Sequence, residues 1–131
     1  MKKILLVAIA AMAMGTTASA QEAVFGEWKS EPGETGGYIH VRVGPCGANV
    51  CGEITEVVGN DNITIVGRTI IQGMSSQGGG GYAGGTIWAP DTDKTYKADM
   101  MMNGDNSMVV RGCVGFCSSL TSRAQTWTRV R

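Results

Sequence analysis

One histidine, His40, serves the whole chain of 131 residues, and no acidic partner for it can be picked out by spacing. A serine or cysteine nucleophile would therefore have a single candidate base with nothing to orient it. No C-x-x-C occurs, which removes thioredoxin-like dithiol chemistry. Lys and Arg stand singly along the chain, so the basic stripe that nucleic acid or an anionic membrane requires is missing. The longest unbroken apolar run, Ile4 to Met14, is 11 residues, against the roughly 20 of a spanning helix. Helical periodicity is absent after residue 20.

What is present at the start is a secretory signal in its usual order. Lys2 and Lys3 form a positive segment, Ile4 to Met14 the apolar one, and Ala18-Ser19-Ala20 an A-x-A cleavage site. Residues 1–20 are expected to be removed after Ala20, leaving a mature domain over 21–131 that is periplasmic or secreted. No cysteine follows the cleavage site to carry a lipid. Loss of the two lysines leaves 9 basic residues against 11 acidic, a net charge of −2.

Cys46, Cys51, Cys113 and Cys117 all fall in the mature part, where an oxidising compartment lets disulfides persist. Local pairs Cys46–Cys51 and Cys113–Cys117 are favoured, because each flanks a short turn-like segment that brings facing Cα atoms within disulfide reach. Chain entropy favours the rival long-range pairing, at about 4 kcal/mol against about 2 for a short loop. A four-cysteine zinc site is a further rival, though neither C-x4-C nor C-x3-C has the usual two-residue knuckle.

Period-two alternation is the signal that remains. Tyr38 to Val43 sets Ile39, Val41 and Val43 against Tyr38, His40 and Arg42, which directs His40 outward. Gly52 to Val58 reads as the returning strand, and Ile63 to Ile71 as a strand bent at Gly67. Ser75 to Gly81 reads as a mobile loop of small residues. Gly85 to Ala89, Thr95 to Met102, Met108 to Val114 and Ala124 to Val130 follow as strands. Turns at Pro90 to Asp93 and Asn103 to Asn106 separate them. With a strand around Trp28, about eight strands in a meander result, and such a meander leaves edges unless it closes on itself.

Several motifs dissolve on inspection. Gly79 to Gly84 spells G-x-G-x-x-G without a βαβ unit around it, and Gly73 to Gln77 lacks the last glycine of a nucleophile elbow. Met100, Met101, Met102 and Met108 cluster as Cu(I) ligands would, but alternation splits them between two faces. Asp91, Asp93 and Asp105 supply too few oxygens for Ca²⁺ and suit turns. No metal and no cofactor is expected. A terminal arginine, Arg129, is expected to lie over Trp28 where the first and last strands meet, with Trp127 beside it.

Taken together, Gly26-Glu27-Trp28, Cys51-Gly52-Glu53-Ile54, the run Gly67 to Met74, Gly84 to Pro90, Lys94-Thr95-Tyr96, Arg111-Gly112 and Gln125-Thr126-Trp127-Thr128-Arg129 resemble the small exported bacterial proteins catalogued as domain of unknown function 2147. The resemblance implies an all-β, single antiparallel up-and-down barrel of the lipocalin or calycin kind. It also implies that Trp28 and Arg129 close the barrel. Barrels of that size hold one small ligand or fill themselves with side chains. The function expected is non-enzymatic binding of a small hydrophobic molecule, with Tyr96, Met100 and Met102 as wall residues. The alternative is a filled barrel acting as a structural or interaction module on an envelope protein partner.

Overall fold

A computed structural model describes residues 22–115, 117 and 122–131. The expected signal at 1–20 lies outside the described residues. Eight strands form a closed antiparallel barrel in sequence order: β1 Gly26–Lys29, β2 Tyr38–Cys46, β3 Asn49–Val58, β4 Thr69–Gly78, β5 Gly81–Ala89, β6 Lys94–Met102, β7 Ser107–Cys113 and β8 Ser122–Arg129. The all-β meander read from alternation and turn chemistry is the architecture observed. Among the described residues no helix is long and apolar enough to cross a membrane.

Both local disulfides are formed, Cys46–Cys51 across the β2–β3 turn with Cα atoms 5.8 Å apart and Cys113–Cys117 after β7 with 5.0 Å. They point to a non-cytoplasmic protein, since thiols stay reduced in the cytosol. Each bridge pins the turn beside it, and neither crosslinks distant strands.

Two segments depart from the sequence expectation. Ile63–Ile65 is a 3-10 turn, and β4 begins only at Thr69. Here the Asn60 side chain accepts the Asn62 N–H at 2.8 Å, and Val66 and Arg68 donate back to Ile63 and Ile65, so local bonds compete with the ladder. Ile65 is buried and plugs the loop onto the core. Conversely Ser75 to Gly78 is strand, and Gly81 already begins β5. Ser75 pairs with Ala83 and Ser76 with Tyr82, a ladder that backbone groups make without help from side chains.

The core sits toward one end. Antiparallel alternation places the starts of β1, β3, β5 and β7 and the ends of β2, β4, β6 and β8 there. Trp28, Val43, Met74, Met100 and Met108 fill it, with Trp28 fully buried. Val24, also fully buried, caps this end and its carbonyl accepts the Trp28 indole N–H at 2.9 Å. Tyr82 reaches the same segment through a 2.7 Å bond from its hydroxyl to Glu22. Burial, then that carboxylate, push the Tyr82 pKa up to about 12.

β1 is short; its register with β8 is Trp28↔Arg129 and Lys29↔Thr128, continued by backbone bonds of Glu27 with Val130 and Arg131. Arg129 reinforces that seam. Its guanidinium lies 4.5 Å over the Trp28 ring and donates to the carbonyls of Asp105, Phe25 and Ala23 at 2.7, 3.0 and 2.6 Å. Gly26 lets the chain pass this point: with φ at +144°, a Cβ there would stand 2.7 Å from the Arg131 carbonyl oxygen and collide with Arg129. G-x-W is thus a geometric requirement of the seam.

Candidate functional site

The opposite end of the barrel is open. A cavity of about 960 Å³ enters between the β1–β2, β3–β4 and β5–β6 connections and the start of β8. Its walls are Ile39, Val57, Ile70, Ile87, Val110 and Trp127, the inward-facing residues of six strands. A cavity of this size, apolar over most of its lining, is within the range of small-molecule sites.

Gly112 faces this space from β7. A Cβ there would meet Ile87 Cγ2 at 3.3 Å and Tyr96 Cβ at 3.7 Å, so the glycine lets these two wall residues close against the β7 backbone. The charged residues of the lining, Glu31, Asp91 and Arg123, are all exposed at the rim. Glu31 has a second role there: because β1 ends at Lys29, its carboxylate accepts the Thr126 N–H at 2.7 Å where a continuing strand would have done so. Trp88 stands at the rim with the Arg68 guanidinium 3.9 Å over its ring and its indole N–H on Asp93 at 2.9 Å.

Of the three wall residues expected from sequence, Tyr96 lines the cavity. Met100, 1 % exposed, is part of the packed end, and Met102 packs against that core from its edge. Alternation assigns all three to the inner face, but depth along the barrel separates them. Met101 points the other way and is exposed, and Met108 is fully buried, so the methionines do not converge. Among the described residues no group of three acidic, histidine or cysteine side chains is placed to hold a metal.

Gln125 is the functional candidate that sequence reading missed. It pairs with Val110 across β7–β8, faces the cavity, and its Oε1 accepts the Trp127 indole N–H at 3.0 Å. The signal was available: Gln125 and Trp127 are two apart on one strand, hence on one face, and a buried tryptophan needs an acceptor.

His40 also differs from its expectation. It does face outward, but its side chain is only 17 % exposed and does have acidic partners, Glu27 at 3.3 Å and Glu56 at 3.4 Å. The Glu27 carboxylate, 7 % exposed, accepts from the Thr55 hydroxyl at 3.1 Å and faces Arg131 Nη2 at 2.9 Å. Arg131 neutralises Oε1 without the alignment of a hydrogen bond. Burial alone would push the Glu27 pKa up. The Thr55 hydrogen bond, Arg131 and His40 outweigh it and hold the carboxyl below its ordinary value. This cluster joins β1, β2, β3 and the C-terminus on the outer wall, away from the cavity lining.

Residues 26–129 match the family described as "Uncharacterized protein conserved in bacteria (DUF2147)". Among solved structures the chain is similar to a protein from the human pathogen Helicobacter pylori, HP1028, described as belonging to the lipocalin family. The TM-score is 0.68 at 15 % identity, covering 82 % of this chain and 83 % of that one. No curated protein matches.

Proposed function

From the premise that this chain belongs to the bacterial family DUF2147 and folds as a lipocalin-like barrel, we propose that it is an exported, non-enzymatic carrier holding one small hydrophobic molecule in the open half of the barrel. The observation that carries this reading is the cavity of about 960 Å³ whose strand walls are mostly apolar and whose charged residues are exposed. The filled-barrel alternative fits the Trp28 end, where Val24, Met100 and Met108 are buried in one core cluster. Two disulfides support passage through an oxidising compartment, and the signal-like residues 1–20 supply the route, with Gln21 as the first mature residue.

The test is mass spectrometry of the protein recovered from the bacterial periplasm, first native and then denatured without reductant. A native mass exceeding the denatured one by a discrete small-molecule increment is expected, on a polypeptide beginning at Gln21. Equal masses, with no adduct after incubation in a lipid extract, refute the carrier reading. Confinement of the intact chain to the cytoplasm refutes export.

A further inference from the structure

The cavity holds one side chain whose hydrogen-bonding orientation is forced. An indole N–H is a donor only, so the Gln125 group 3.0 Å from Trp127 Nε1 must be the amide oxygen. The amide nitrogen then points away from Trp127, with two N–H donors that meet no protein acceptor among the described residues. Gln125 lines the cavity on the same face as Val110 and Trp127. The charged lining residues are exposed at the rim, so an ionised group carried deep into the cavity would lose its hydration with no counter-charge to meet it. A neutral acceptor would meet a donor.

We propose that Gln125 makes this cavity selective for uncharged, predominantly apolar molecules bearing a carbonyl-type acceptor, such as a ketone, ester or quinone, whose oxygen accepts from the Gln125 amide. The inference rests on the carrier reading and narrows it to a ligand class. Trp127 acts as the positioning residue: it fixes which end of the amide the ligand meets.

The experiment titrates two fluorescent naphthalenes of equal bulk against the mature, disulfide-intact protein: 6-propionyl-2-(dimethylamino)naphthalene, a ketone, and its 6-propyl analogue, which lacks the carbonyl. The wild-type protein is expected to prefer the ketone by about tenfold, the size of one net hydrogen bond in a partly dry site. Gln125→Met removes the donors and should reduce that ratio to about one, while the analogue binds as before. Gln125→Leu likewise lacks donors and carries no charge, so it should lose the ratio too; it covers the case in which Gln125→Met folds poorly. Ketone bound to wild type should emit to the red of ketone bound to Gln125→Met. Equal binding of the two probes to wild type, or a ratio that survives both substitutions, overturns the role of Gln125 and leaves the carrier reading standing. Failure of both probes to bind overturns the carrier reading as well.

Discussion

Replacing Arg129 by Met keeps most of the aliphatic stem and removes the guanidinium that fastens the seam. Closure between β1 and β8 rests on two register pairs and the backbone bonds of Glu27 with Val130 and Arg131, a short seam to which this side chain adds its own bonds. Two of its three hydrogen bonds, to Asp105 and Ala23, are exposed, and water can replace them at about 0.5 kcal/mol each. The bond to Phe25 is partly buried and contributes about 1 kcal/mol. The stack on fully buried Trp28 adds about 1 kcal/mol, screened because one side of the cation faces solvent. Arg129→Met should therefore destabilise by about 3 kcal/mol, lowering the urea midpoint by about 2 M for a slope near 1.5 kcal/mol/M. Equilibrium unfolding followed by tryptophan fluorescence, with the disulfides intact, measures it. Hydrogen exchange locates it: amides of β1 and of Trp127 to Arg129 should lose protection before those of β4 and β5. Arg129→Lys should recover part of the stack and not the fork of bonds. A midpoint within about 0.3 M of wild type would refute the reasoning, and seam closure would then belong to backbone pairing and Trp28 packing alone.

Acid should weaken the same region. The folded-state pKa of Glu27 lies below its ordinary value, so its contribution to stability is complete above the unfolded pKa of about 4.5 and is lost as pH falls through the folded one. Urea midpoints measured from pH 7 to pH 3 should fall in that range, and Glu27→Gln should lower the plateau and flatten the fall. Gly112→Leu should push Ile87 aside and place a bulky side chain against the cavity wall, weakening binding of a hydrophobic dye at least about tenfold while far-ultraviolet circular dichroism stays unchanged. Gly85→Ala should cost more than about 3 kcal/mol or prevent folding, since its Cβ would strike the Gln72 carbonyl and stand 2.8 Å from Met74 N. Gly44→Ala meets open space at an ordinary φ and should leave the urea midpoint within about 0.3 M of wild type.

The strand count and their hairpin order were readable because both depend on near neighbours: alternation over Tyr38 to Val43 and over Thr95 to Met102, and turn residues at Pro90 to Asp93 and Asn103 to Asn106. The misread segments are those where a different bond wins. Ile63 and Ile65 have strand-forming side chains, yet the asparagines before them supply local acceptors that curl the chain. Ser75 to Gly78 lacks side chains to pack, yet its backbone finds a ladder. The Glu27 cluster left no trace in spacing, because Glu27 meets His40 across 13 residues and Thr55 across 28, contacts that exist only once three strands have paired.

Depth along the barrel separates the three expected wall residues, with Tyr96 at the cavity and Met100 and Met102 at the packed end. Period two tells which face a residue takes and nothing about where along the axis packing stops. In this chain the boundary falls between Tyr96 and Met100 on one strand and between Trp127 and Arg129 on another. Below it lie Val24, Trp28, Met100 and Met108 with their seam of arginine contacts; above it, Gly112 withholds a side chain and Gln125 turns a donor inward. The packed core and the open cavity thus occupy different ends of the same eight strands. Trp127 belongs to both: its ring is packed as core while its indole N–H orients the amide at the cavity wall. A substitution at Trp127 should therefore lower stability and carbonyl preference together, whereas Arg129→Met should affect the first and Gln125→Met chiefly the second.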